Sequence, residues 1–193
     1  MGLGEHSNLN YAKLVLRKPR LVLGYKLTKI TDVNISKAHP VIQFGKYWRE
    51  ISSDGLLVDR KAFNPMRIPQ LLPWIVIIEA IDSAYGGYRY RLVGSGVTSM
   101  AGFNLTGQDF GSWLDMHTKR VQELALLYAF EEKGPSYLKG SLSDNYGDSI
   151  PVIIGLFPSF SQDKHNRQMI CLVAPEDEDC INQLSYHFGT MWE

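Results

Sequence analysis

Apolar positions along this 193-residue chain recur at two different periods, and the places where one gives way to the other mark its elements. From Pro40 onward, Val41, Phe44, Trp48 and Ile51 are spaced by three and four, which predicts a one-faced helix ending near 52–55. Such a helix either covers the core or meets a second copy of the chain. Pro65 and Pro73 bracket IPQLL and leave room for one short helical turn. Residues 74–81 are rich in β-branched side chains and read as a buried strand. Tyr85-Gly86-Gly87 supplies hairpin chemistry, because glycine reaches positive φ without a Cβ clash, so 88–94 returns antiparallel. Strict alternation on that strand places Tyr88, Tyr90 and Leu92 on one face and Arg89, Arg91 and Val93 on the other, the pattern of a sheet with one covered and one wet side.

The middle of the chain changes to a helical period. Residues 97–101 and 107–113 predict short helical segments, and 115–133 a full helix with Val121, Leu124, Leu127 and Tyr128 on one side and His117 a turn earlier. Gly134-Pro135 ends it. Three strand-like runs follow at 136–143, 149–157 and 168–174, separated by Asn145-Tyr146-Gly147 and a polar loop at 161–167. Past Pro175 the acids EDED open a last helix carrying Ile181, Leu184, Phe188 and Met191; acids in a first turn complement the helix dipole. The order of helix, two strands, helical cluster, three strands and helix is α+β, not alternating βαβ.

Length and a 45% hydrophobic content fit one domain with extensions. The 20 basic and 20 acidic residues cancel, so the total charge argues against a nucleic-acid partner, although Arg89, Arg91 and the N-terminal basics are available. The charge is unevenly placed. Residues 1–38 carry +5 and form a basic N-terminal extension; residues 176–193 carry −5. Two cysteines, Cys171 and Cys180, match neither a redox pair nor a zinc cluster, and the N-terminus has no signal-peptide pattern. The longest apolar run, WIVII, is too short to span a membrane, so the expectation is a cytoplasmic protein.

The segment YRLVGSG raises the question of a nucleotide loop. A dinucleotide fingerprint needs glycines at relative positions one, three and six before a long helix; Gly94 and Gly96 supply two, Ser99 stands at the third, and the next helix is short. The glycines are better read as a sharp exit from the strand.

Four motifs carry a resemblance: Tyr47-Trp48, IPQLLPW at 68–74, YRLVGS at 90–95 and LTG at 105–107. Together, over about 39–175, they resemble the PAS-fold family, in particular its bacterial branch of small stand-alone PAS-like domains. Ser95 replaces the usual Thr and Asn104 the usual Asp, which removes a charge. The resemblance implies a five-stranded antiparallel sheet with helices over one face, flanked by N- and C-terminal helices, and a sensory or regulatory module in bacterial signal transduction instead of an enzyme. It also implies a cavity whose expected lining is Tyr90, Leu92, Met100, Phe103, Phe110, Trp113, Leu124, Tyr128, Ile154 and Leu156. These side chains either fill the core or enclose a small hydrophobic or aromatic ligand.

No covalent or metal cofactor is expected. The Asn-Cys-Arg motif of flavin-binding relatives is absent, and His117, the position that invites haem, sits in a first turn beside Thr118, Lys119 and Arg120. No His, Cys, Asp and Glu spacing suits a metal, and Cys171 reads as core. Phe44, Trp48, Ile181, Leu184 and Phe188 are the expected contact surface for a protein partner or a homodimer. The rival reading is a small α+β enzyme using Asp109, Asp115 or His117 as acid or base, which requires one of them to point inward.

Overall fold

A computed structural model describes residues 27–52, 57–81, 87–112, 114–143, 149–160 and 167–189. The elements in chain order are β1 (Thr28–Ile30), α1 (Pro40–Ile51), β2 (Val58–Asp59), β3 (Ile75–Ala80), β4 (Tyr88–Val93), α2 (Ser95–Ala101), α3 (Met116–Glu132), β5 (Ser136–Ser143), β6 (Ser149–Phe160), β7 (Arg167–Pro175) and α4 (Glu178–Gly189). The proline-bracketed segment forms two 3-10 turns, Pro65–Arg67 and Pro69–Trp74. The turn residues Tyr85, Gly86 and 145–147, and nearly all of the loop 161–167, lie outside the described residues, as do 1–26 and Met191.

The sheet order is β1-β5-β6-β7-β3-β4, every neighbouring pair antiparallel, with β2 adding a short parallel pairing to β6. Five of these strands are the ones the apolar pattern marks. β1 and β2 are three and two residues long, too short for any period to show. After β4 at one edge, the chain re-enters the sheet at β5 on the far side, and α2 and α3 cross one face on the way.

Both faces of the sheet are covered, where strand alternation predicts one wet side. Val76, Ile78, Ile154, Leu156, Cys171 and Val173 point to the face roofed by α2, α3 and α4. Ile75, Ile77, Ile153, Phe157, Ile170 and Leu172 point to the other, under α1 and the 3-10 turns. The central strands β3, β6 and β7 are apolar at both parities, and such a strand is stable only when each side is buried.

This second core settles the role of the leading helix. Phe44 and Trp48 are fully buried, and Phe44 meets Phe157 edge-on with centroids 4.7 Å apart. They belong to the interior of the chain and not to a contact surface. A Cβ on Gly155 of β6 would lie 2.8 Å from Val41 Cγ1, so the bare backbone there lets α1 settle onto the sheet. His39 caps the start of α1, accepting from the Val41 amide, and Pro40 occupies the first turn.

The described part of the segment expected to be helical, 107–112, is not helical. It runs along the outer edge of β4: the Gly107 amide donates to the Tyr90 carbonyl (2.7 Å), the Tyr90 amide to Gln108 (3.0 Å) and the Phe110 amide to Tyr88 (2.8 Å). The exposed edge of the sheet is thereby capped against pairing with another chain. Asn104 makes the turn that starts this run, its Oδ1 accepting from the Thr106 amide at 2.9 Å, while Thr106 Oγ1 accepts from the Val93 amide at 3.1 Å. Both roles use a neutral oxygen, so the exchange of Asp for Asn at this turn costs no acceptor.

Candidate functional site

Between the inner face of the sheet and its helical roof lies a cavity of about 70 Å³. Its floor is Val76 and Ile78 of β3, Tyr90 and Val93 of β4, Leu138 and Leu142 of β5, Ile154 and Leu156 of β6, and Cys171 and Val173 of β7. Val97 of α2 and Gln122, Ala125 and Leu126 of α3 form the roof, with Leu27, Leu105 and Phe110 at the sides. β3, β6 and β7 supply alternate residues, as a pleated sheet requires, while β4 supplies two residues three apart.

Of the residues expected to line the cavity, Tyr90, Phe110, Ile154 and Leu156 do so. Tyr90 and Phe110 pack with centroids 5.2 Å apart. Met100 is buried in the same core and Phe103 packs against it, but neither lines the cavity. Trp113 lies outside the described residues.

Leu92 is 43% exposed, and Val93 takes the inward place expected for it. The cause is a bulge: Ile77 pairs with Leu92 and Ile78 with Tyr90, so Arg91 has no partner across the ladder. One extra residue reverses the alternation, turning Leu92 outward and Val93 inward. The bulge also leaves Arg89 and Arg91 on one side, where both bond Glu79. Arg89 Nε reaches Oε1 at 3.0 Å and Arg91 Nη1 reaches Oε2 at 3.0 Å.

Leu124 and Tyr128 are displaced for a different reason. The buried stripe of α3 is Thr118, Gln122, Leu126 and Ala129. Leu124 and Tyr128 stand two residues either side of Leu126, roughly 200° around the helix, and Tyr128 is 62% exposed. Apolar residues occupy both sides of α3, and the side that packs on the sheet is the one with small residues and a glutamine.

Gln122 is the residue that sequence reasoning missed. It is 4% exposed and lines the cavity, and neither its Oε1 nor its Nε2 has a hydrogen-bond partner among the described residues. A polar side chain amid aliphatic neighbours gives no periodic signal; only its presence on the roof marks it.

The titratable groups of the cavity are Tyr90 and Cys171. Burial pushes both the phenol and the thiol up, so each keeps its proton at neutral pH and neither serves as a base or nucleophile. The candidate acid-base residues lie elsewhere. His117 and Asp109 are exposed, and Asp115 caps α3, accepting from the Thr118 hydroxyl (2.6 Å) and amide (3.0 Å), bonds that hold its carboxyl below the usual range. Among the described residues no three His, Cys, Asp or Glu side chains gather as a metal would require, and no helix is long and apolar enough to cross a membrane. What the chamber offers is neutral, mostly apolar binding with one unsatisfied amide.

The glycines of YRLVGSG serve packing. A Cβ on Gly94 would lie 2.4 Å from the Pro73 carbonyl oxygen and 2.5 Å from that of Leu72; one on Gly96 would lie 2.8 Å from the Trp74 ring. The exit from β4 therefore presses directly on the 3-10 turn Pro69–Trp74, leaving no room for a phosphate.

The last two expected contact residues with described side chains face inward: Ile181 is buried in the core around the cavity and Leu184 packs against it. The side chain of Phe188 lies outside the described residues. Described charges near the two ends pair with the body of the fold. Lys29 bonds Glu132 of α3, and Glu176 bonds Lys139 of β5.

Comparison with known proteins gives two findings. No curated protein matches the chain. Residues 36–173 match the sequence model of a family described as PAS domain.

Proposed function

The chain belongs to the PAS domain family, whose members are typically sensory and regulatory modules, and from that premise we propose that this protein responds to a small molecule held in the cavity under α2 and α3. The response leaves through β7 and the helices at its end. The observation that carries this reading is the position of β7: Cys171 and Val173 form part of the cavity floor, and the same strand ends at Pro175, immediately before α4. An occupant that shifts Val173 acts on the root of α4.

Two contacts favour transmission over absorption at that point. Ile181 of α4 packs into the core that surrounds the cavity, so the helix senses the roof directly. His39 ties the Pro175 carbonyl to the start of α1, which joins the covers of both faces at one junction. Glu176, Asp177, Glu178 and Asp179 are exposed beside it and offer a protein partner an acidic surface that moves with α4. A ligand changes this surface only by preferring one arrangement of α4 over another.

The test is amide hydrogen exchange over 178–189 with and without a small apolar probe, benzene or xenon, whose entry is followed on the Val173 and Ile154 methyl resonances. Altered protection in α4 on occupancy is the expected result. Occupancy with unchanged protection in α4 would remove the output route, and no occupancy at all would remove the cavity as the input.

A further inference from the structure

We infer that Gln122 makes the cavity selective for a small neutral molecule whose apolar body carries one amide-like edge, a hydrogen-bond donor and an acceptor side by side, as in a lactam or a primary amide. The inference rests on the cavity being a ligand site and adds the chemical class of its occupant.

Gln122 holds a core position. It stands one turn after Thr118 and one before Leu126 on the only face that α3 buries, where an aliphatic side chain would pack without cost. Thr118 is polar too, but its hydroxyl donates to Asp115 at 2.6 Å. Gln122 has no such arrangement: both polar atoms of its carboxamide are buried and unpartnered among the described residues. Burying a donor and an acceptor without partners is unfavourable, and native folds rarely leave both atoms of one side chain so.

The surroundings restrict what can satisfy it. The remaining lining is aliphatic or aromatic, apart from the Tyr90 phenol and the Cys171 thiol. Among the described residues no charged side chain lines the cavity, so an ionised ligand would be desolvated by these walls without compensation. The carboxamide presents Nε2–H and Oε1 about 2 Å apart in one plane. A cis-amide edge matches it, giving its N–H to Oε1 and taking Nε2–H on its carbonyl, while the rest of the molecule replaces empty space against Val76, Val97 and Leu126. The volume limits the occupant to a few heavy atoms or one small ring.

Three planar probes built on one six-membered ring separate the parts of this claim. 2-Pyridone carries the full edge, N-methyl-2-pyridone lacks the donor, and benzene lacks both groups. Each is titrated into the isotope-labelled full chain, with the Gln122 side-chain amide resonances and the Ile154 and Val173 methyls as readouts. 2-Pyridone is expected to bind about tenfold or more tighter than the N-methyl compound and to move the Gln122 amide pair; Gln122→Leu is expected to abolish that preference while still admitting benzene. Gln122→Met provides the same arm if the leucine variant does not fold. Equal binding of all three probes to the natural chain would overturn the selectivity and leave the cavity reading standing. Binding of none of them would overturn both.

Discussion

His39 Nε2 lies 2.8 Å from the Pro175 carbonyl oxygen, and this one contact fixes the protonation of a buried imidazole. A carbonyl only accepts, so Nε2 carries the hydrogen; Nδ1 is bare and accepts from the Val41 amide at 3.3 Å. The neutral ring thus caps α1 and pins the end of β7 together. Burial depresses the His39 pKa below 6.5, against the opposing pull of the Pro175 bond and of Glu178 and Glu176. The unfolded chain takes up a proton near 6.5 and the folded chain resists it. The stability this ring contributes is therefore whole above about pH 6.5 and is lost as pH falls below it. Urea midpoints at pH 7.5 and 5.5 should diverge for the natural chain and converge for His39→Asn, which itself costs about 1–2 kcal/mol at neutral pH. Equal acid sensitivity of the two proteins would contradict this assignment.

Glu79 works in the other direction. Burial raises its pKa, but the hydrogen bonds and charges of Arg89 and Arg91 outweigh that and leave the carboxyl below 4.5. Its stabilisation is present above that value and fades as pH falls through the depressed one. The arginines are about half exposed and screened by water, so Glu79→Gln should cost only about 1–2 kcal/mol at pH 7. Its thermal midpoint should fall less between pH 5 and 3 than that of the natural chain.

Gln122→Leu should raise the stability of the ligand-free protein by about 1–2 kcal/mol, because it removes two buried polar groups without partners among the described residues. Chemical denaturation reads this directly. A loss of stability would mean that the carboxamide is already satisfied inside the fold.

Trp48→Ala should destabilise the chain by about 3–5 kcal/mol and leave its association state unchanged, since the indole is fully buried within one chain. Denaturant midpoint and sedimentation velocity together check it; a variant of natural stability that changes association would restore the contact-surface reading.

Gly94→Ala should cost about 3 kcal/mol or more although its φ of −65° suits alanine, because the new methyl meets the backbone carbonyls of Pro73 and Leu72, which cannot rotate away. Circular dichroism melting measures it. A neutral substitution would show that β4 and the 3-10 turn are less tightly apposed.

How far the chain could be read depended on which signal a position carries. β3, β6 and β7 were legible within three residues because each is an apolar run rich in β-branched side chains, and β5 because Gly134-Pro135 and Asn145-Tyr146-Gly147 bracket it. The cavity was legible in part: Tyr90, Phe110, Ile154 and Leu156 belong to the lining that the resemblance implied. Leu92 failed because a bulge depends on how two strands meet, not on either strand alone. Leu124 and Tyr128 failed because α3 is apolar on two sides, and only docking selects one.

By itself, the sequence determined the α+β order, the antiparallel pairing and the family, since turn chemistry and hydrophobic period are local and act before any long-range contact. Tertiary structure alone decided that α1 closes a second core, that Gln122 faces the cavity, and that His39 reaches Pro175. Each of these joins residues far apart in the chain, and burial and hydrogen bonding have no value for such pairs until packing has brought them together.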